Sequence, residues 1–218
     1  MSKKPQQARS IESTNRMLDA AESLLREGGP RAITVEAVIE RSETSMGSFY
    51  ARFESREGLF QALHERFLTF VIEEDLFQQL EDAVVEPDLA SSVHAFVSRL
   101  LVMNEKHRDA AAFFMVFNGA DPVMRAQGAE ISRAFAEILH KLVKQHRAEV
   151  SHKNLRVASD FAATLISGVA YEGLLHEPGE LTGRARSTNQ LIDSTSQAVV
   201  AYLTYGGQLT PTSAINRR

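Results

Sequence analysis

The sequence predicts an all-α protein with a small three-helix N-terminal domain and a larger helical C-terminal domain. Three observations lead there. Apolar residues recur at spacings of three and four along most of the 218 residues. No stretch after residue 75 alternates with the period of two that a half-buried strand requires. Glycines, prolines and N-capping residues punctuate the chain at helix-length intervals.

Composition narrows the possible functions. A hydrophobic content of 44% is enough for one sizeable core or for a small domain attached to a larger one. A net charge of -4 argues against a protein that coats nucleic acid without regard to sequence. The charge is uneven: residues 1–66 hold ten Lys or Arg and ten Asp or Glu, so the acidity lies in the remainder. With no cysteine, disulfides and thiolate metal sites are excluded. The basic N-terminus has no apolar run behind it, and no window is long and apolar enough to span a bilayer, so the expected location is the cytoplasm.

In chain order, residues 1–9 are polar and basic, with Lys3, Lys4, Pro5 and Arg9, and read as a disordered arm. A first amphipathic helix follows from Ser10 to Glu27 through Ile11, Leu18, Ala21, Leu24 and Leu25, and Gly28-Gly29-Pro30 stops it. Thr34 is placed to cap a second helix, with Ile33 and Val38 spaced as a hydrophobic staple. After the polar break Ser42–Thr44, a short third helix begins at Ser45. Phe49 and Phe53 lie four apart on its inner side. Ser55 caps a fourth helix whose stripe is Leu59, Phe60, Leu63, Phe67 and Phe70.

The order Arg16-x-Leu18-x-Ala20-Ala21, Gly29, Thr34-Val35, then Phe49-Tyr50-x-x-Phe53-x-x-Arg56-Glu57-x-Leu59 resembles the DNA-binding domain of the tetracycline-repressor (TetR) family. The resemblance covers roughly the first third of the chain. It departs from the family pattern at Ile39 (commonly a small residue), at Glu43 (usually the turn glycine) and at Arg56 (a lysine). It implies a helix-turn-helix domain over residues 10–56, a helical effector-binding and dimerisation domain over 57–206, and a flexible tail over 207–218.

The expected DNA-binding residues are Thr34, Ser45, Met46, Gly47, Ser48, Tyr50, Arg52 and Arg56. Small residues at the start of the third helix permit close approach to base edges, but none makes a bidentate base contact. Arg52 is the outward residue with that capacity and is expected to read bases, with Met46 adding a contact to a thymine methyl. Family position implies phosphate contacts for Thr34, Ser48, Tyr50 and Arg56. The competing reading of Tyr50 and Arg56 is a helix-surface pair with local contacts only.

Helices are expected to follow Pro87-Asp88, to cover the apolar run Ala110–Phe117, and to run from Asp121-Pro122 to about Val150. Another spans Asn154–Leu175, rich in Ala158, Ala162, Ala163, Ser167, Gly168 and Ala170. The last begins at a Ser187/Gln190 capping box and ends near Tyr205-Gly206. The last two long helices offer more apolar surface than one partner covers and are expected to form a homodimer interface; otherwise they complete the monomer core. The aromatic cluster gives a candidate effector pocket of Phe96, Met103, His107, Phe113, Phe114, Phe117, Asn118 and Tyr171, with His176 a further polar anchor. Core packing is the competing reading for each of these side chains.

No catalytic residues, metal or cofactor are expected. Glu172 and His176 share a helix face without a third ligand, His140 and His146 do not share one, and no phosphate loop, nucleophile elbow or HExxH motif is present. The sequence therefore points to a homodimeric regulator that binds a palindromic operator in double-stranded DNA, represses, and is released by a small, largely apolar ligand. The alternatives are a similar regulator without an effector, and a helical ligand-binding or enzymatic scaffold that has lost DNA binding.

Overall fold

The computed structural model describes residues 4–73, 76–118 and 121–205, with side chains placed for 10–69, 76–116 and 121–205. All regular structure among these residues is helical. The helices are α1 (Lys4–Gly28), α2 (Val35–Ser42), α3 (Met46–Phe53), α4 (Arg56–Glu73), α5 (Leu76–Asp82), α6 (Leu89–Lys106), α7 (Arg108–Asn118), α8 (Pro122–Gln145), α9 (Leu155–Leu175) and α10 (Thr188–Thr204). Short 3-10 turns occupy Pro30–Ala32, Ala83–Val85 and Arg147–Glu149.

The caps expected at Thr34, Ser55 and Ser187 form: Thr34 accepts from the Ala37 N–H, Ser55 from the Gly58 N–H, and Ser187 with Gln190 closes a complete capping box. Ser45, Asp88 and Asn154 also cap helices, accepting from Ser48, Ser91 and Val157. Asp121 accepts from both Val123 and Met124 ahead of the proline-led α8. Two boundaries differ from expectation. Helix α1 already begins at Lys4, within the stretch read as an arm, and residues 1–3 lie outside the described residues. Helix α8 stops at Gln145, because the chain turns through Arg147–Glu149 before Val150 is buried. The expected tail at 207–218 lies outside the described residues.

Two apolar clusters hold the chain. The first joins α1 to α4 through Met17, Leu24, Ile33, Val38, Phe49, Phe53 and Leu59, yet it also takes in Phe113 and Phe114 of α7 and Met124 of α8. Phe60 meets Phe113 edge-on at 5.0 Å, so the small N-terminal domain shares its core with the larger one. The second cluster is built from α5, α6, α8, α9 and α10 around Phe96, Leu139, Leu142, Ile166 and Val199. The small residues of α9 serve this inner packing: Ala158, Ala162 and Ala170 are buried, while Val157, Phe161, Tyr171 and Leu175 are exposed on the other side.

Helix α3 is held between two tight corners. A Cβ added to Gly58 would lie 1.9 Å from the Phe53 carbonyl oxygen, so only glycine lets α4 start this close to the end of α3. At its other end the chain turns at Glu43, with φ 51° and ψ 45°, in the left-handed region. Without the usual glycine, that turn is closed by the Glu43 N–H on Glu40, the Thr44 N–H on Ile39 and a 2.7 Å contact between the hydroxyls of Ser42 and Thr44.

Candidate functional site

Apart from Arg56, the residues expected to meet DNA lie at the start of α2 and along α3. Thr34, Ser45, Met46, Gly47 and Tyr50 are exposed and Ser48 is half-buried. Nothing would meet a Cβ at Gly47, so the glycine leaves open surface rather than avoiding a clash. Ser45 and Ser48 are tied to each other by a 3.0 Å hydroxyl–hydroxyl bond as well as by the cap. Tyr50 stands edge-on against the buried Phe49 at 5.5 Å, which fixes its ring while leaving its hydroxyl outward. The exposed surface is small and uncharged, a shape that fits a groove but carries few directional donors.

The two arginines expected to contact DNA, Arg52 on α3 and Arg56 at the start of α4, are both engaged within the protein. Arg52 Nε donates to the Thr14 hydroxyl at 2.6 Å, and Nη2 donates to the Ser10 carbonyl at 2.9 Å and to the Ser10 hydroxyl at 2.8 Å. A base reader needs those donors free for guanine, so Arg52 here acts as a strut from α3 to α1. Arg56 likewise donates to the carbonyls of Ile33 (2.7 Å) and Pro30 (2.9 Å), with its guanidinium 4.7 Å from the Phe60 ring centroid. Both carbonyls belong to the loop that enters α2, so Arg56 sets the position of the Thr34 cap. Neither contact follows from helical spacing, because the partners lie 38–42 and 23–26 residues away.

The effector residues divide three ways. Met103, Phe114 and Tyr171 come together around a partly open pocket of about 160 Å³, joined by His64, Phe67, Asn104 and Phe135. His107 lies outside it, in a cleft between the two domains, with its ring 6.5 Å from that of Phe67. Phe96 and Phe113 are core residues lining neither space. This is a correction to their expected role: each points from its helix into a cluster centre rather than toward a void. The side chains of Phe117 and Asn118 lie outside those described.

His64 was legible only as one histidine on an apolar stripe. It is buried, stacks obliquely on Phe114 at 4.8 Å, and its Nδ1 lies 3.0 Å from the Gln127 amide oxygen. Burial pushes its pKa below the ordinary histidine value, opposed in part by the Gln127 bond. One turn earlier, Gln61 donates to Asp121 at 2.8 Å. That bond and the N–H groups of the α8 cap hold the Asp121 carboxyl below its usual range. Helix α4 is thus joined to the start of α8 by two polar contacts beside the pocket.

A serine–histidine–glutamate alignment occurs elsewhere. Ser92 Oγ is 2.8 Å from His146 Nε2, and His146 Nδ1 is 3.2 Å from Glu149, which also accepts from the Leu89 N–H. Ser92 is fully buried within α6 and lines none of the cavities described, so no substrate carbonyl can reach it. The arrangement pins the end of α8 to the start of α6. His176 faces Glu180 at 3.3 Å rather than pairing with Glu172.

Residues 17–63 match the family model described as bacterial regulatory proteins, tetR family. Over 86–91% of its length the chain has the fold of solved regulators of that kind. A TetR/AcrR-family transcriptional regulator from Thermobifida fusca superimposes with a TM-score of 0.62 at 18% identity, over 86% of this chain and 96% of that one. A transcriptional regulator from Rhodococcus sp. gives 0.60 at 18% identity over 91% and 99%. A TetR-family regulator from Thermus thermophilus gives 0.60 at 14% identity over 86% and 97%. No curated protein matches by sequence.

Proposed function

We propose that this chain, whose residues 17–63 match the model of bacterial regulatory proteins, tetR family, is a cytoplasmic repressor of that kind. It binds a palindromic DNA operator as a homodimer and is released by a small, largely apolar ligand. The observation that carries the DNA-binding reading is the joint exposure of Thr34, Ser45, Met46, Gly47 and Tyr50 on a braced helix-turn-helix. Arg52 and Arg56 contribute by holding those residues in place, while Thr34, Ser48 and Tyr50 supply phosphate contacts that set register.

Dimerisation is supported by the outward side of α9. Val157, Phe161, Tyr171 and Leu175 fall on one face at helical spacing and are all exposed, an arrangement that a second copy would cover. Pairing also answers the weakness of the reading face. Two copies about 34–36 Å apart read two half-sites, whereas one has few donors with which to discriminate. A ligand in the pocket of Met103, Phe114 and Tyr171 lies between α4 and the larger domain. It would release DNA only to the extent that it prefers the head spacing that does not fit the operator.

Selection of bound sequences from a random duplex library tests the reading. The expected result is a palindrome bound with an affinity that falls steeply with salt. Recovery of no common sequence by the dimeric protein would overturn it. Phe161→Glu is expected to yield monomers by sedimentation and to lose operator binding with them.

A further inference from the structure

Of the residues that line the pocket of Met103, Phe114 and Tyr171, all but Ser132 of α8 and Tyr171 of α9 are buried or half-buried. The mouth therefore lies between those two helices. Tyr171 also belongs to the outward side of α9. There Val157, Phe161, Thr164, Gly168, Tyr171 and Leu175 follow one another at alternating steps of four and three residues, all exposed and none charged. That is the spacing of a helix–helix seam. Thr164 returns its hydroxyl to the Asp160 carbonyl at 2.9 Å, and a Cβ at Gly168 would meet no atom of this chain. The middle of the seam is thus a notch with no polar demand, and one rim of the pocket stands beside it.

The order of the seam selects the helix that covers it. Its six positions are symmetric about Ile166: Val157 mirrors Leu175, Phe161 mirrors Tyr171, and Thr164 mirrors Gly168. A two-fold axis at that level lays two copies of α9 antiparallel, matching large residues with large ones and Thr164 with the glycine notch. An unrelated partner would require no such symmetry. Phe161 is braced for the contact. Its ring lies 4.9 Å from that of Tyr202, which lies 4.5 Å from that of His152, and His152 Nε2 donates to the Tyr202 carbonyl at 2.7 Å. We propose that the partner subunit's Phe161 seats on Tyr171 and forms the outer wall of the pocket, so that the ligand site belongs to the dimer and not to one chain. A small apolar occupant would touch both subunits, and pairing and ligand binding would strengthen each other by the same factor. The ligand class rests on the function proposed above; the pairing and its register do not.

The chain has no cysteine, so its register can be read by cross-linking. Phe161→Cys chains mixed with Tyr171→Cys chains should form a covalent dimer under mild oxidation, seen on a non-reducing gel. Neither variant alone should do so. In the antiparallel pair, position 161 lies about 15 Å along the helix from its own copy, beyond the Cα separation of about 7 Å that a disulfide spans. The pocket is probed with N-phenyl-1-naphthylamine, a neutral apolar dye whose fluorescence rises on leaving water. Phe161 lines no part of the pocket in its own subunit, so its substitution acts there only across the interface. The wild-type dimer is expected to bind the dye at least about tenfold more tightly than Phe161→Glu, the size of one lost aromatic wall. Diluting the wild-type protein through its dimer dissociation should lower the affinity by the same factor, a measurement that needs no variant. Self-cross-linking of Phe161→Cys, no cross-link in the mixture, equal affinity of monomer and dimer, or no dye binding by the wild type would each overturn the proposal. A chain that cross-links and binds the dye as described but selects no operator would overturn only the regulatory function.

Discussion

Arg52 of α3 donates to Ser10 of α1 at both the carbonyl and the hydroxyl, and so fastens α3 to the first turns of the chain. An arginine that reads a base and one that props a helix fail differently. Arg52→Ala is expected to weaken operator and unrelated duplex alike, by about tenfold, with the preferred base at every operator position unchanged. Competition binding against a library of single-base operator variants measures this. A preference relaxed at one base position would show that Arg52 leaves Ser10 and reads DNA directly.

Both ends of α3 hold a glutamate at positive φ, Glu43 at 51° and Glu54 at 60°. Each forces its Cβ toward a neighbouring carbonyl, at a cost of roughly 1–2 kcal/mol. Glu43→Gly and Glu54→Gly recover part of that, offset by the greater freedom of glycine in the unfolded chain. Each is expected to stabilise the protein by about 0.5–1 kcal/mol in urea unfolding. No change in midpoint for either would mean that the glutamate side chains contribute as much as the strain removes.

The buried His64 makes stability depend on pH. Its pKa is lower folded than unfolded, so between those two values the unfolded chain binds more protons, and stability falls as pH falls. The loss begins near the ordinary histidine value of about 6.5 and continues down through the folded one. Asp121 beside it is also lowered, but from the carboxylate range, so its contribution is lost only at more acid pH. Thermal melts between about pH 7 and pH 5 should therefore show a slope that His64→Gln reduces. An unchanged slope would assign the dependence to other histidines.

Ser92, His146 and Glu149 match a hydrolytic triad in distance but not in access. A fluorophosphonate is expected to leave Ser92 unlabelled in the folded chain, as read by intact-mass spectrometry. His146→Ala should lower the melting temperature, because it leaves Ser92 and Glu149 without their shared partner in the link between α6 and α8. Stoichiometric labelling at Ser92 would reopen the possibility of catalysis.

Helix positions, caps and the order of the N-terminal framework were readable from the residues, because they depend on neighbours three or four positions away. Thr34, Ser55 and Ser187 cap the helices they precede, and Phe49 and Phe53 point inward as their spacing requires. The direction taken by long polar side chains was not readable. Arg52 and Arg56 lie where an outward cation is expected, yet each satisfies carbonyls far away in the chain. The same limit hid the pairing of His64 with Gln127, the shared core at Phe113 and Phe114, and the inward use of the α9 alanines. Local periodicity determines which face of a helix is apolar. Only packing between helices decides whether that face meets a core, a cavity or open solvent, and which distant acceptor captures a flexible guanidinium.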